Sequence, residues 1–157
     1  HDYFSMHIHD FFEVYYFIQG DVTYQIEGNN YKLESGDLLL INDKEVHKPI
    51  SNCNKVYERI AIHFAPWYFS RYSNNNFDIL ECFKNRKPGQ FNLISVERIE
   101  DNNLDYYLKQ INKYLSSKED GKNIMFETLF VQLLYLLNKI FSQDEKLLKE
   151  SIEYNEI

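Results

Sequence analysis

Apolar and polar positions alternate in short runs from residue 3 to about residue 65. A two-residue period puts alternate side chains on opposite faces of a strand, so each run reads as a half-buried β-strand. "YFSMHIH" opens the series and "EVYYFIQ" follows, ending at a Gly20-Asp21 turn. "VTYQIE", the turn signal "GNN" and "YKLE" form the clearest hairpin in the chain. "SGDLLLIN" is a turn feeding an apolar run, and "YERIAIHF" alternates again before Pro66. At least six closely spaced strands predict a sandwich or small barrel. Asn74, Asn75 and Asn76 mark a loop, and "FDILECFKNR" predicts a short helix ending before Lys87-Pro88-Gly89. Beyond residue 96 the period becomes helical. Leu104, Leu108, Ile111 and Leu115 recur on one stripe of "VERIEDNNLDYYLKQINKYLSSK", and Gly121 ends that run. "NIMFETLFVQLLYLLNKIFSQ" is then apolar around most of its circumference for about five turns. Glu127, Gln132, Asn138 and Lys139 interrupt it too often for a membrane span.

Composition narrows the classes. The 157 residues, 44% hydrophobic and 17% aromatic, are enough for one domain with a real core. The 13 tyrosines and 12 phenylalanines suit β-rich cores and small-molecule pockets. A net charge of −7 argues against direct binding of nucleic acid, which needs an excess of Lys and Arg. Cys53 and Cys82 show neither metal-type spacing nor a disulfide framework, which sets a cytoplasmic expectation. No Ser/His/Asp or Cys/His nucleophile arrangement and no phosphate-cradling glycine loop stands out. A start at His1 and a stop on "SIEYNEI" predict a piece of a longer protein.

The stretch "HIHDFFEVYYFIQG" carries the chemistry. His7 and His9, two apart, share a strand face, and Glu13 on the next strand can point into the same interior. His47 follows Gly36 in "GDLLLINDKEVH". Three imidazoles and a carboxylate converging inside a small barrel would suit a divalent Zn, Ni, Fe or Mn ion. The other reading is a polar cluster, hydrogen-bonded internally or to a ligand. Tyr15 and Phe17 share parity with Glu13 and are expected to line the pocket, with Val14, Tyr16 and Ile18 facing outward. Arg59 and His63 share a parity on the later strand, where Arg59 could clamp a carboxylate or phosphate. Trp67, after Pro66, is expected to pack between barrel and helices.

His7-x-His9-xxx-Glu13-xxxxxx-Gly20 resembles the first cupin motif ligand for ligand, and Gly36, Asn42, Lys44 and His47 keep the spacing of the second. Asn42 and Lys44 replace its usual proline and glycine. With "YERIAIHFAPWYF" and two long helices, the chain is similar to the amino-terminal sensor domain of AraC-family transcriptional regulators. The resemblance implies a mostly β fold with C-terminal helices, a cupin-like double-stranded β-helix (jelly-roll) barrel followed by a helical dimerisation segment. Residues 1–70 would be the barrel, 71–95 a connecting loop with a short helix, and 96–157 the dimerisation segment. It further implies a non-enzymatic domain that binds a small-molecule effector, a sugar being one candidate, in a barrel lined by Tyr15, Phe17, Arg59 and His63. The domain would signal to a helix-turn-helix region lying beyond this chain, the only route to DNA. The helix from about residue 123 to 142, with Ile124, Leu129, Leu133, Leu136, Leu137 and Ile140, would form the homodimer. A metal-dependent cupin enzyme, a dioxygenase or isomerase using His7, His9, Glu13 and His47, is the alternative.

Overall fold

The computed structural model describes residues 10–52 and 54–155 of the chain. The expected opening strand, with His7 and His9, and Cys53 lie outside the described residues. Strand β1 (Phe12–Gln19) is the hinge of the architecture. It pairs antiparallel with β6 (Glu58–Phe64) on one side and β4 (Leu38–Ile41) on the other, and β4 pairs with a short β7 (Leu93–Ile94). The sheet order is β6-β1-β4-β7. A second sheet, β3-β2-β5, is built from β2 (Val22–Ile26), β3 (Asn29–Lys32) and β5 (His47–Ser51). The predicted hairpin joins β2 to β3 through Glu27 and Gly28, both at positive φ (50° and 78°), the pairing that matches the twist of a two-residue hairpin. The expected barrel is therefore seen as two antiparallel sheets over a shared core, and no closed barrel forms among the described residues.

Parity in β1 divides the interior in two. Tyr15 and Phe17 pack with Val22, Tyr24, Ile26, Leu39 and Ile41 between the two sheets. Phe12 and Val14, on the opposite face, join Leu38, Leu40, Ile60, Ile62 and Phe64 in a larger core that the helices cover. Tyr16 and Ile18 pack against that same core, so the expected inside-outside division of β1 holds. Sliding β1 by one residue would exchange the two sets and bury polar groups against the helices.

A 3₁₀ helix (Pro66–Tyr72) follows β6, and α1 (Glu81–Lys84) lies where a short helix was predicted. The stretch 71–95, read from sequence as a connection, also supplies β7 to the first sheet. The single helix expected after residue 96 is broken into α2 (Val96–Asp101) and α3 (Leu104–Leu115). Asn103 sits between them in the left-handed region, φ 57°, a conformation asparagine tolerates and a helix does not. Leu104, Leu108 and Ile111 are fully buried as the stripe predicted, but Leu115 is 48% exposed at the frayed end. Trp67 is 74% exposed, contrary to the expected packing role; Phe69, two residues on, fills the core instead.

Helix α4 (Lys122–Asn155) runs well past the predicted end near residue 142. By length and composition it is apolar enough to cross a membrane. Its inner face, however, is spent on this domain: Leu129, Phe130, Leu133, Leu134, Leu137 and Ile140 are all buried in the helical core. Of the residues expected to face a partner, Ile124 alone is largely exposed (69%). The outward apolar surface comes instead from Tyr135 and, in the last turns, Leu147, Leu148 and Ile152.

Candidate functional site

Glu13 is the focus of the site. It stands in β1 directly opposite His63 of β6, and its carboxylate is buried between the sheets. Glu13 Oε2 lies 3.4 Å from His47 Nε2, at the start of β5 in the second sheet, and 3.4 Å from His63 Nε2. One carboxylate oxygen thus receives an imidazole from each sheet. The other ring nitrogen of His47, Nδ1, is 2.8 Å from the backbone carbonyl of Glu45. A carbonyl only accepts, so Nδ1 carries a hydrogen and Nε2 is the atom presented to Glu13.

Burial alone would raise the Glu13 carboxyl, but hydrogen bonds and charge from His47 and His63 outweigh it and hold the group at about 2. For His47, burial opposes the charged ring, while Glu13 and the Glu45 carbonyl more than compensate and raise its pKa. The hydrogen bond to Glu13 raises His63 against a smaller burial penalty. The cluster is an ionised carboxylate clasped by two imidazoles that gain charge from it.

Aromatic rings close the rest of the interior. Tyr24 stacks beside His47, ring centroids 6.1 Å apart, and meets Tyr15 edge-on at 4.8 Å. The Tyr15 and Tyr57 hydroxyls hydrogen-bond to each other. Arg59 pairs opposite Phe17 and holds its guanidinium 4.8 Å over the Tyr57 ring, exposed at the edge of the site. Burial pushes the Tyr15 and Tyr24 phenols far above their ordinary range, so both remain neutral donors. Glu13, Tyr15, Phe17, Arg59 and His63 therefore share one face of the first sheet, at alternate positions of β1 and β6. Phe17 is wholly buried in the inter-sheet core, whereas His63 also edges a cleft of about 400 Å³ between β6 and α4.

Two residue sets escaped the reading of the sequence. Tyr24 and Tyr57 belong to the site; the alternation Val22, Tyr24, Ile26 was a signal for Tyr24, since it shares parity with two buried aliphatics. Glu45 and Arg86 left no signal, being 41 residues apart. Both side chains are 0% exposed and form a two-pronged pair, Arg86 Nη2 to Glu45 Oε1 at 2.6 Å and Nη1 to Oε2 at 2.7 Å. Backbone amides of Asn42 and Gly89 and the Asn92 side chain also donate to Glu45. Arg86 spends its remaining donors on the carbonyls of Cys82, Leu40 and Gln90. The pair holds the loop that carries His47.

Of the four residues expected to hold a metal, Glu13 and His47 are brought together, while His7 and His9 lie outside the described residues. Among the described residues, no group of three or more His, Cys, Asp or Glu is arranged to hold an ion. In comparisons with known proteins, residues 1–134 match the family described as AraC-like ligand binding domain. A comparison with curated proteins finds no match.

Proposed function

The chain belongs to the AraC-like ligand binding domain family, and from that premise we propose that it is the effector-sensing and dimerisation domain of an AraC-type transcriptional regulator. The observation that carries this reading is the Glu13–His47–His63 cluster, roofed by Tyr15, Tyr24 and Tyr57 and flanked by Arg59. Aromatic faces suit the C–H surface of a ring, and convergent polar groups fix its orientation. We assign this cluster to a small polar effector, a sugar or a hydroxylated carboxylate. Neutral tyrosine hydroxyls and the two imidazoles would meet its hydroxyls, and Arg59 its acidic group. Domains of this family are typically regulatory rather than catalytic, and binding, not turnover, is the assigned activity.

The mechanism is a population shift. An effector that binds one arrangement of the two sheets and the helices better than another moves the equilibrium by that difference in affinity. Dimerisation would use the outward residues of α4, Tyr135, Leu147, Leu148 and Ile152, against a second copy. DNA would be reached through a separate domain in the cytoplasm, since an acidic surface repels phosphate.

A thermal-shift screen of sugars and small hydroxy acids tests the sensor reading. A binder should raise the midpoint of the parent and lose most of that effect in Arg59→Ala and His63→Ala, both exposed enough to substitute without collapse. A flat response across both classes, or a shift that survives both substitutions, would refute the assignment. Sedimentation of Leu148→Glu tests the dimer: a monomer is expected where the parent is dimeric.

A further inference from the structure

We propose that Arg86 is a positioning residue for His47, and that a buried chain of hydrogen bonds couples this pocket histidine through Glu45, Arg86 and Cys82 to Asn138 in the middle of α4. The use assigned to the coupling rests on the sensor reading, because it supplies the route by which a bound effector reaches the helix.

Each link is short and most are sealed from water. His47 Nδ1 donates to the Glu45 carbonyl at 2.8 Å. The carboxylate of the same Glu45 is gripped by both prongs of Arg86 at 2.6 and 2.7 Å. Arg86 Nε donates to the Cys82 carbonyl at 3.2 Å. The amide of that same Cys82 donates to Asn138 Oδ1 at 2.9 Å. Asn138 is anchored in turn, its Nδ2 donating to the carbonyls of Ile79 and Leu134. A parallel branch leaves the pocket loop at Asn42, whose Nδ2 donates to the Phe83 carbonyl at 2.9 Å. The short helix α1 is thus tied to the His47 loop through two carbonyls, Phe83 directly by Asn42 and Cys82 by way of Arg86, and to α4 through the Cys82 amide.

The geometry is more specific than stability requires. An apolar pair of the same volume would fill the space of Glu45 and Arg86 as well, without fixing anything's orientation. Here every N–H of Arg86 has an acceptor, so the guanidinium plane is set by Glu45, Leu40, Gln90 and Cys82 together. That plane sets the Glu45 carboxylate, and the Glu45 carbonyl fixes the orientation of the His47 ring through Nδ1. In a medium without competing water the bonds of such a chain strengthen one another. Displacement of His47 by an effector is then passed to α1 and, through the Cys82 amide, to Asn138 of α4. Lysine cannot replace Arg86, because an ammonium has no fork.

The test reads the Cys82 amide by ¹H–¹⁵N NMR on the full chain. His47→Gln should move that resonance, whereas Ile41→Val, a substitution in the inter-sheet core outside the chain of bonds, should leave it in place. In an Arg86→Lys background, His47→Gln should no longer move it. A Cys82 amide indifferent to His47→Gln, or equally responsive in both backgrounds, would overturn the coupling. If Arg86→Lys does not fold, Asn138→Ser serves from the other end. It should shift the ring ¹⁵N resonances of His47, and unmoved ring resonances would likewise overturn the coupling. The effector screen stands apart: an effector that binds without moving the Cys82 amide defeats the coupling and spares the sensor reading.

Discussion

Arg86→Met is the sharpest perturbation of the structure. It removes one partner of a pair that is 0% exposed and leaves the Glu45 carboxylate in place with three donors, the amides of Asn42 and Gly89 and the side chain of Asn92. Breaking a buried ion pair costs about 3–5 kcal/mol, because the surviving charge is uncompensated. Three remaining donors put this case at the low end, about 3 kcal/mol. With a urea slope of about 2 kcal/mol/M, the unfolding midpoint should fall by more than about 1 M. Glu45→Gln/Arg86→Met should cost less than Arg86→Met alone, since no buried charge is left behind. The pH dependence carries its own sign. In the parent, burial raises the Glu45 carboxyl and Arg86 more than reverses it, so the pair stabilises above the ordinary carboxylate range and is lost as pH falls through the lowered value. Without Arg86, burial is opposed only by the hydrogen bonds from Asn42, Gly89 and Asn92, and the carboxyl titrates higher than in the parent. The deficit of Arg86→Met relative to the parent should therefore be full at pH 7.5 and smaller at pH 5, where the stranded carboxyl takes up a proton. Urea titrations at both values measure it. A cost below about 1 kcal/mol, a deficit equal at the two pH values, or a double variant as costly as the sum of the singles would refute the reasoning.

Glu13→Gln should flatten the pH profile of the melting temperature on both sides. Glu13, held at about 2, contributes stability above about 4.5 that is lost as pH falls toward 2, while His47 and His63, raised above 6.5, contribute below 6.5 and lose it as pH rises through their raised values. The gap between parent and variant is expected to be widest near pH 5–6, and a gap independent of pH would dissolve the cluster as described. Gly36→Ala should destabilise by about 3 kcal/mol in urea titration: a Cβ there would clash with Val96 Cγ2, and φ is 99°. Phe91→Gly is expected to stabilise by about 1 kcal/mol, because an exposed aromatic residue holds φ 57° and glycine relieves that strain; no gain in midpoint would contradict it.

Much of the sheet was legible because its strands obey one rule. Residues 12–19, 22–26 and 58–64 alternate; the two faces of β1 enter two different cores, while β2 and β6 each bury one face and leave the other half-buried or exposed, so period alone told one face from the other. The strands that escaped break the rule for physical reasons. β5 contains Pro49, which lacks a donor; it is tolerated because β5 is the edge of the second sheet, free on one side among the described strands. β7 is two residues long and exists only because β4 offers it an edge, a fact no window around Leu93 contains. The break at Asn103 was hidden because Leu104, Leu108 and Ile111 keep a helical stripe after it, and the stripe was extended backward through residues that could not sustain it.

The site divides along the same line, local pattern against distant pairing. Glu13, Tyr15 and Phe17 follow from parity within one strand, and Arg59 and His63 from parity within another; that the two sets face each other depends on register, which the structure supplies as Glu13 opposite His63 and Phe17 opposite Arg59. Asn42 is the instructive case. Measured against the motif it resembles, it is a departure, an asparagine where proline is usual, and by the motif alone it would reshape the loop bearing His47. The hydrogen bonds give it the opposite meaning. Its amide, which proline would lack, donates to Glu45 Oε1; its Oδ1 accepts from the Lys44 amide; its Nδ2 reaches the Phe83 carbonyl. A position that looked like a lost constraint is where the pocket loop is fastened to the helical half. Substitution by proline would remove all three of those bonds at once and should loosen His47 without touching it.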